Sequence, residues 1–186
     1  MRSFIAIELP PEIKKALNAL RSEIAGVHWL PPEQLHLTLL YLGDIEADQM
    51  ERLRHCLLQV KVAPFRLRIA ATGCFPNPRF PRVLWVGLQR QTALERLAEQ
   101  VRSAATTSGI MLEKRPFSPH ITMARVKRPE SCDISSYLNQ SQHKKFPEFN
   151  VLGFVLCHST LTQQGAVHRP LSLFPSTDTT PSPIPS

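Results

Sequence analysis

Two short segments of the chain carry the same pattern of histidine and threonine. The first is His36-Leu37-Thr38-Leu39, and the second is His120-Ile121-Thr122-Met123, roughly half a chain length further on. Both read as β-strands, in which residues two positions apart project from the same face. Each histidine therefore shares a face with its threonine, while the apolar residues between them point into a core.

Two such pairs facing one another suit acid–base catalysis. An imidazole pKa of about 6.5 lets one ring be neutral while the other is protonated at neutral pH. The neutral ring can take a proton from water, and the protonated ring can give one to a leaving oxygen. The threonine hydroxyls can donate hydrogen bonds to the non-bridging oxygens of a phosphate held between them.

Other chemistry fits these residues less well. A lone His-x-Thr is usually structural, because threonine is a good strand former, but the pattern occurs here twice. A zinc site needs about three or four ligands, commonly with a carboxylate or thiolate, and neither motif contains an acidic residue. No strand-turn-helix elbow presents a nucleophilic serine or cysteine. We therefore expect phosphodiester cleavage that uses no metal and no cofactor.

Apolar periodicity predicts the elements that position these motifs. Three helices are expected: one from Pro11 to Ile24, one through Met50, Leu53, Leu57 and Val60, and one through Leu94 to Ala105 that ends at Gly109. The expected strands are Phe4–Ile7, Leu35–Leu42, Phe65–Ala71, Val83–Val86, His120–Val126 and Val151–Leu156. Gly73–Pro81 is expected to be a turn, and Lys127–Glu148 a polar surface excursion. Strands without strict βαβ succession predict an α+β fold with largely antiparallel sheets.

Composition limits the class of protein and its partners. At 186 residues, with 42% hydrophobic and 20% charged residues, the chain is a globular protein of one domain over residues 1–175. The Pro-, Ser- and Thr-rich residues 176–186 are expected to be a disordered tail. A net charge of +7 favours anionic partners such as RNA or nucleotides. No apolar run is long enough to span a membrane. The four cysteines show no CxxC pairing, so we expect them to be reduced thiols. Together these observations predict a cytoplasmic protein.

At the two motifs the sequence resembles the two-histidine (2H) phosphoesterases, and within them the RNA 2′,3′-cyclic phosphodiesterases, also described as 2′-5′ RNA ligases. Further stretches that match are Trp29–Leu35, Leu42-Gly43, Arg82–Gly87, Arg115–Pro119 and Ala124-Arg125. The resemblance covers about residues 1 to 175. It implies two pseudo-twofold-related lobes with outer helices and an active cleft between the lobes.

Carried over position by position, the resemblance makes His36 the general acid and His120 the general base. It places Thr38 and Thr122 on the phosphate, with Arg125 as a further phosphate or RNA contact. The implied substrate is RNA with a 2′,3′-cyclic phosphate end, acted on by a monomer. The chain departs from the family at His168, where a tyrosine is common.

Two alternatives stay open at this point. One is a 2H enzyme that acts on a small cyclic nucleotide, and the other is a non-catalytic RNA-binding module. The roles of Phe75, Phe80, Arg79 and Arg82, in or beside the Pro-rich turn, are also open, between base stacking or backbone steering and plain packing of the turn.

Overall fold

The computed structural model describes residues 1–129, 132–141, 144–162 and 165–176. Its strands are β1 (Arg2–Glu8), β2 (Val27–Trp29), β3 (His36–Asp44), β4 (Phe65–Leu67), β5 (Ile69–Phe75), β6 (Val83–Leu88), β7 (His120–Val126), β8 (Phe149–Val151), β9 (Gly153–Thr162) and β10 (Gly165–Pro175). Its helices are α1 (Pro11–Asn18), α2 (Ala47–Leu57), α3 (Thr92–Thr107) and α4 (Ser135–Ser141).

Eight of these strands form one sheet in the order β10-β9-β1-β3-β7-β6-β5, with β2 paired to β7 beside β3. Every pairing in this sheet is antiparallel, and β4 pairs with β8 in a separate two-stranded sheet. The two motif strands, β3 and β7, are neighbours near the centre of the large sheet. The predicted α+β class with largely antiparallel pairing is confirmed.

Helices α1, α2 and α3 cover one face of the large sheet. Their apolar stripes enter one core cluster with the inward residues of β1, β3 and β7, including the fully buried Leu37 and Ile121. Burying an apolar side chain of this size contributes roughly 1.5–3 kcal/mol. Packing against the helices thus holds β3 and β7 in place through their inward residues. The residues that alternate with these project from the opposite face of the sheet.

The ends of these helices follow from local sequence. Pro11 opens α1, where its missing N–H is not needed. Glu46 and Gln49 form a reciprocal capping box at the start of α2. Gly109 follows α3 with φ +86°, a left-handed conformation that glycine adopts without strain, as the sequence predicts.

Several predicted boundaries are wrong. Helix α1 stops at Asn18 and not at Ile24. Leu20 and Ile24 keep helical spacing, but Leu20 is buried in the main core whereas the partly buried Ile24 packs against a separate cluster, so one helix does not carry both. The strand predicted for Phe65–Ala71 is divided at Arg68, where the partner strand changes from β8 to β6. The turn predicted from Gly73 begins later, because β5 continues to Phe75 against β6.

The C-terminal part of the chain is more regular than predicted. The segment Lys127–Glu148 contains α4, which buries Tyr137 in a second apolar cluster. Strand β9 is longer than the predicted Val151–Leu156, and β10 pairs along it as a hairpin. Ser176, the first residue of the predicted tail, is buried and donates its backbone N–H to the Leu152 carbonyl at 2.6 Å. The other tail residues, 177–186, lie outside the described residues.

All four cysteines are free, as predicted, with Cys132 and Cys157 buried. Within the described residues, none of the helices combines the length and apolarity needed to cross a membrane.

Candidate active site

The two His-x-Thr motifs lie side by side on β3 and β7. The residue pair that joins these strands is Leu37 with Ile121, both fully buried on the helix-covered face. In an antiparallel pair the neighbours on either side follow in reverse order, so His36 lies across from Thr122, and Thr38 from His120. The four polar side chains are half-buried on the open face. This arrangement has the pseudo-twofold symmetry that the repeated motif predicts.

Both histidines are held in the same tautomer. The Nδ1–H of His36 donates to the backbone carbonyl of Gln34 at 2.7 Å, and that of His120 donates to the carbonyl of Ser118 at 2.8 Å. A carbonyl can only accept, so in the neutral rings the proton is on Nδ1 and the lone pair is on Nε2. In each neutral ring the nitrogen left with a free lone pair is therefore Nε2.

Aromatic side chains from nearby strands of the same sheet support each histidine. The ring of Phe4 on β1 stacks on His36 with centroids 4.8 Å apart. On the other side, Phe75 meets His120 edge to face at 5.1 Å, and the Trp85 ring lies 6.4 Å from His120. These contacts restrict rotation of both imidazoles.

The position of Trp85 depends on a glycine in the next strand. A Cβ on Gly73 would lie 2.4 Å from two atoms of the Trp85 ring, well inside contact distance. Since Gly73 pairs with Trp85 between β5 and β6, the absence of a side chain lets the indole lie flat on the sheet. The indole then reaches both Phe75 and His120.

The electrostatic setting of His36 disfavours its charged form. Burial lowers the pKa of His36 from 6.5 to about 4, and repulsion from His168, Lys14 and His120 acts in the same direction. The hydrogen bond to Gln34 opposes this shift only in part. His36 is thus neutral at pH 7 in the free protein, and an anion bound beside it would favour its protonation.

Both motif strands contain an extra residue directly after the motif threonine. This residue is Leu39 in β3, where the pairing with β1 shifts, and Met123 in β7, where the pairing with β6 shifts. In β3 the pairing with β1 shifts a second time, at Leu42. Strict alternation from the threonines would send Tyr41 and Arg125 to the helix-covered face. The bulges instead return both side chains to the open face, where both are exposed.

A cleft of about 1130 Å³ lies over this face, beside the motifs. Its lining includes His36, Thr38, Thr122 and Arg125, but His120 is not part of it and lies beyond Thr122. The cationic residues that line the cleft are Arg2, Arg82, Arg125 and Lys127. Within the described parts of the chain, no Asp or Glu lines it, so its field attracts anions.

The structure also brings in residues that the sequence did not single out as functional. Phe4, Tyr41, His28 and His168 line the cleft, and His168 meets His36 edge to face at 5.1 Å. Tyr41 had a detectable signal, since it follows the first histidine by the same interval that separates Arg125 from the second. For His168 the only signal in the sequence is the departure from the family's common tyrosine, and its place at the site depends on the β9–β10 hairpin, which brings it there from far along the chain.

Some residues in or beside the Pro-rich turn reach the cleft or His120, and others do not. Arg82 lines the cleft and Phe75 contacts His120, whereas Phe80 is exposed outside the cleft. The backbone N–H groups of Arg79 and Phe80 donate to the Asn77 side chain, a local turn contact.

Among the described residues, no group of three or more His, Cys, Asp or Glu side chains is placed to hold a metal ion.

Comparison with known proteins agrees with this geometry. The LigT-like phosphoesterase family model matches the chain twice, over residues 7–85 and 86–168. The chain belongs to this family. The two matches each contain one His-x-Thr motif, so the repeat seen in the sequence is the repeat of the family, and the predicted resemblance to 2H phosphoesterases is confirmed.

Individual relatives are similar over almost the whole chain. An RNA 2′,3′-cyclic phosphodiesterase of Archaeoglobus fulgidus is 34% identical, with 94% of this chain and 99% of the relative covered. The crystal structure of a Thermus thermophilus protein superposes with a TM-score of 0.77 at 32% identity, covering 94% of this chain and 97% of that one. E. coli LigT complexed with 3′-AMP gives a TM-score of 0.75 at 28% identity, covering 95% and 98%.

Proposed function

We propose that this LigT-like phosphoesterase hydrolyses RNA 2′,3′-cyclic phosphate ends to 2′-phosphomonoesters without a metal ion, using His36 and His120 as acid and base. The observation that carries this proposal is the paired geometry of the motifs. Two imidazoles with the same fixed tautomer flank two hydroxyls on one sheet face. Relatives named RNA 2′,3′-cyclic phosphodiesterase support the reaction class.

In the proposed reaction the cyclic phosphate lies between Thr38 and Thr122, whose hydroxyls donate to its non-bridging oxygens. Nε2 of His120 takes a proton from water as the water oxygen attacks phosphorus. The bond from phosphorus to the 3′ oxygen breaks, and Nε2–H of His36 protonates that oxygen. The product carries a 2′-phosphate and a 3′-hydroxyl, and in-line attack places the two histidines on opposite sides of phosphorus.

The acid role requires His36 to gain a proton when substrate binds. Burial lowers the pKa of the free imidazole to about 4, so the ring starts neutral at pH 7. The negative phosphate offsets the repulsion from Lys14 and His168 and favours the imidazolium. Protonation of the acid is thus coupled to occupancy of the site.

The charge and size of the cleft favour RNA over a small cyclic nucleotide. Arg82, Arg125 and Lys127 extend the basic lining beyond the threonines, where a single cyclic phosphate would leave them without an anion. Upstream phosphates of an RNA strand would neutralise them.

The same site would also catalyse the reverse reaction. With a 5′-hydroxyl end in place of water, it would join RNA through a 2′-5′ bond. We place this reaction in the cytoplasm and assign it to a monomer.

A substrate panel in the presence of EDTA tests the proposal. The purified protein is offered an RNA oligomer with a 2′,3′-cyclic phosphate end, cytidine 2′,3′-cyclic phosphate and ADP-ribose 1″,2″-cyclic phosphate. We expect the highest kcat/KM on the oligomer and a product that ³¹P NMR identifies as the 2′-phosphate.

Each rival predicts a different result. A preference for the ADP-ribose compound would indicate a small-nucleotide enzyme, and tight RNA binding without turnover would indicate a binding module. Loss of activity in EDTA, restored by a divalent ion, would contradict the metal-independent mechanism. A 3′-phosphate product would reverse the placement of the substrate between His36 and His120.

A further inference from the structure

The cleft contains a histidine that the proposed reaction does not use. His168 on β10 lines the cleft, and its ring meets that of His36 edge to face with the centroids 5.1 Å apart. Phe4 packs against both rings, with centroid distances of 4.9 Å to His168 and 4.8 Å to His36. His168 is thus held in ring contact with the proposed acid.

The two ring nitrogens of His168 have different surroundings. Nδ1 is buried and has no hydrogen-bond partner among the described residues. A proton on Nδ1 would bury an unpaired N–H donor, which is unfavourable. The neutral ring therefore carries its proton on Nε2, the nitrogen that is left to meet the cleft. His36 and His120 have the opposite tautomer, because backbone carbonyls accept from their Nδ1–H groups.

The surroundings of His168 also keep its ring uncharged at neutral pH. Burial lowers the pKa of His168, and repulsion from Arg125 acts in the same direction. His36 on β3 and Arg125 on β7 face the ring, and within the described parts of the chain no Asp or Glu lines the cleft. A second proton would have to lie on the buried Nδ1. An anion in the cleft therefore favours the imidazolium of His36, whose free nitrogen is Nε2, over that of His168.

A single phosphate can accept hydrogen bonds from both rings. Their centroid distance of 5.1 Å is shorter than two hydrogen bonds laid end to end, at about 2.9 Å each. His36 lies across from Thr122, so a phosphate held at the motif threonines is beside His36 and within reach of the ring that contacts it. Arg125 and His168 both line the cleft, and thus approach this phosphate from β7 and β10.

We propose that His168 is a further substrate-binding residue, whose neutral Nε2–H donates a hydrogen bond to the phosphate group while His36 alone supplies the acid proton. This inference rests on the proposed function and adds to it a donor that takes no part in proton transfer. A neutral donor suits this place, because a fixed cation beside His36 would disfavour the imidazolium that the acid role requires.

Two variants separate hydrogen-bond donation from ring packing and from proton transfer. His168→Phe keeps a ring against Phe4 and His36 but has no donor, so kcat/KM on cytidine 2′,3′-cyclic phosphate should fall by roughly 10- to 100-fold, the range for a hydrogen bond to a charged group. In His168→Gln the side-chain amide nitrogen takes the place of Nε2. It donates but does not titrate, so this variant should keep most of the wild-type kcat/KM.

His158→Phe is the matched control. His158 is a half-buried histidine on the other strand of the same hairpin, and it does not line the cleft. Its replacement should leave kcat/KM unchanged, and thermal melting checks that each variant is folded.

The tautomer is measured on the wild type, without any substitution. Long-range ¹H–¹⁵N NMR at pH 7 should show His168 protonated on Nε2, and His36 and His120 protonated on Nδ1. When adenosine 2′-monophosphate saturates the site, His168 should remain neutral while His36 gains charge.

The outcomes separate this inference from the proposed function. Wild-type kcat/KM in His168→Phe, or an equal loss in His168→Gln and His168→Phe, would overturn the donor role, and so would an Nδ1–H tautomer or an imidazolium at His168. A folded wild type that cleaves no cyclic phosphate would contradict the proposed function instead. In that case the Kd of adenosine 2′-monophosphate decides the inference, since it should rise in His168→Phe and not in His168→Gln.

Discussion

The imidazole rings of His36 and His168 meet edge to face with their centroids 5.1 Å apart, and Phe4 contacts both. Burial is the largest cause that lowers the pKa of each ring. Charge repulsion adds to it, from His168, Lys14 and His120 at His36 and from Arg125 at His168. The two rings are therefore not both in the charged imidazolium form at neutral pH. Of the two rings, His36 is the one that lies beside the motif threonines, so in the proposed reaction a bound phosphate would favour the imidazolium of His36.

The titration of His36 can be followed directly. Through ¹H–¹³C NMR of the ring C–H groups, the midpoint for His36 in the free protein should lie at about 4, because burial disfavours the imidazolium. Saturation with a 2′-nucleotide should raise that midpoint. His168→Phe should raise it only slightly, since burial is the larger cause. A free-protein midpoint near 6.5 would contradict the argument for substrate-coupled protonation.

The same pKa shift predicts how stability depends on pH. The unfolded chain binds a proton at His36 below pH 6.5, whereas the folded chain binds it only below about pH 4. The unfolded state therefore holds more protons in this window, and stability falls as the pH is lowered from 6.5 to 4. At 1.36 kcal/mol per pH unit, His36 contributes about 3 kcal/mol to this loss.

Urea unfolding at several pH values measures this contribution. His36→Asn should lose about 3 kcal/mol less than the wild type between pH 6.5 and 4. His55→Asn, a change at an exposed histidine on α2, should follow the wild-type curve. Parallel curves for the wild type and His36→Asn would show that the ring is not held neutral by burial.

The central part of the site follows from short-range sequence rules. Alternation along a strand places each motif histidine beside its threonine and sends Leu37 and Ile121 to the core, as the structure has them. The helix-covered face is likewise predicted, because the apolar stripes of α2 and α3 have helical spacing. These features need no knowledge of which strands pair.

The rest of the site depends on register and long-range pairing. Alternation alone sends Tyr41 and Arg125 to the wrong face, because the bulges at Leu39 and Met123 exist only through pairing with β1 and β6. Arg125 was predicted from family resemblance and not from periodicity. His168 reaches His36 through a hairpin whose second strand, interrupted by Pro170, has weak strand character in sequence.

The glycine beneath Trp85 gives a test of how His120 is positioned. In Gly73→Ala the new Cβ meets the indole at 2.4 Å, so Trp85 must move, and with it the support of His120. We expect a destabilisation of about 1–3 kcal/mol and a fall in kcat that exceeds any change in KM. Gly87→Ala, with a closest approach of 3.3 Å to the same ring, should have a milder effect.

A double variant separates positioning from general damage. Gly73→Ala combined with Trp85→Phe replaces the indole by a smaller ring and should recover part of the lost kcat. If the double variant is no better than Gly73→Ala alone, the clash with Trp85 is not the cause. If Gly73→Ala keeps the wild-type kcat, Trp85 does not position His120.

Single histidine variants decide which ring is acid and which is base. His36→Asn and His120→Asn should each lower kcat by about 10²–10⁴-fold, the typical cost of a lost proton-transfer group, while His55→Asn serves as the control and keeps its activity.

The wild-type profile of kcat/KM against pH should be bell-shaped, because one ring must be neutral and the other protonated. Each variant retains only one of the two histidines, so the pH profile of its residual activity should keep only one side of the bell. A base must lose its proton, so the rise on the acid side should disappear in His120→Asn. An acid must keep its proton, so the fall on the alkaline side should disappear in His36→Asn. The opposite assignment of limbs would exchange the two roles and make the buried, neutral His36 the base. Near-normal activity in either folded variant would contradict paired-histidine catalysis altogether.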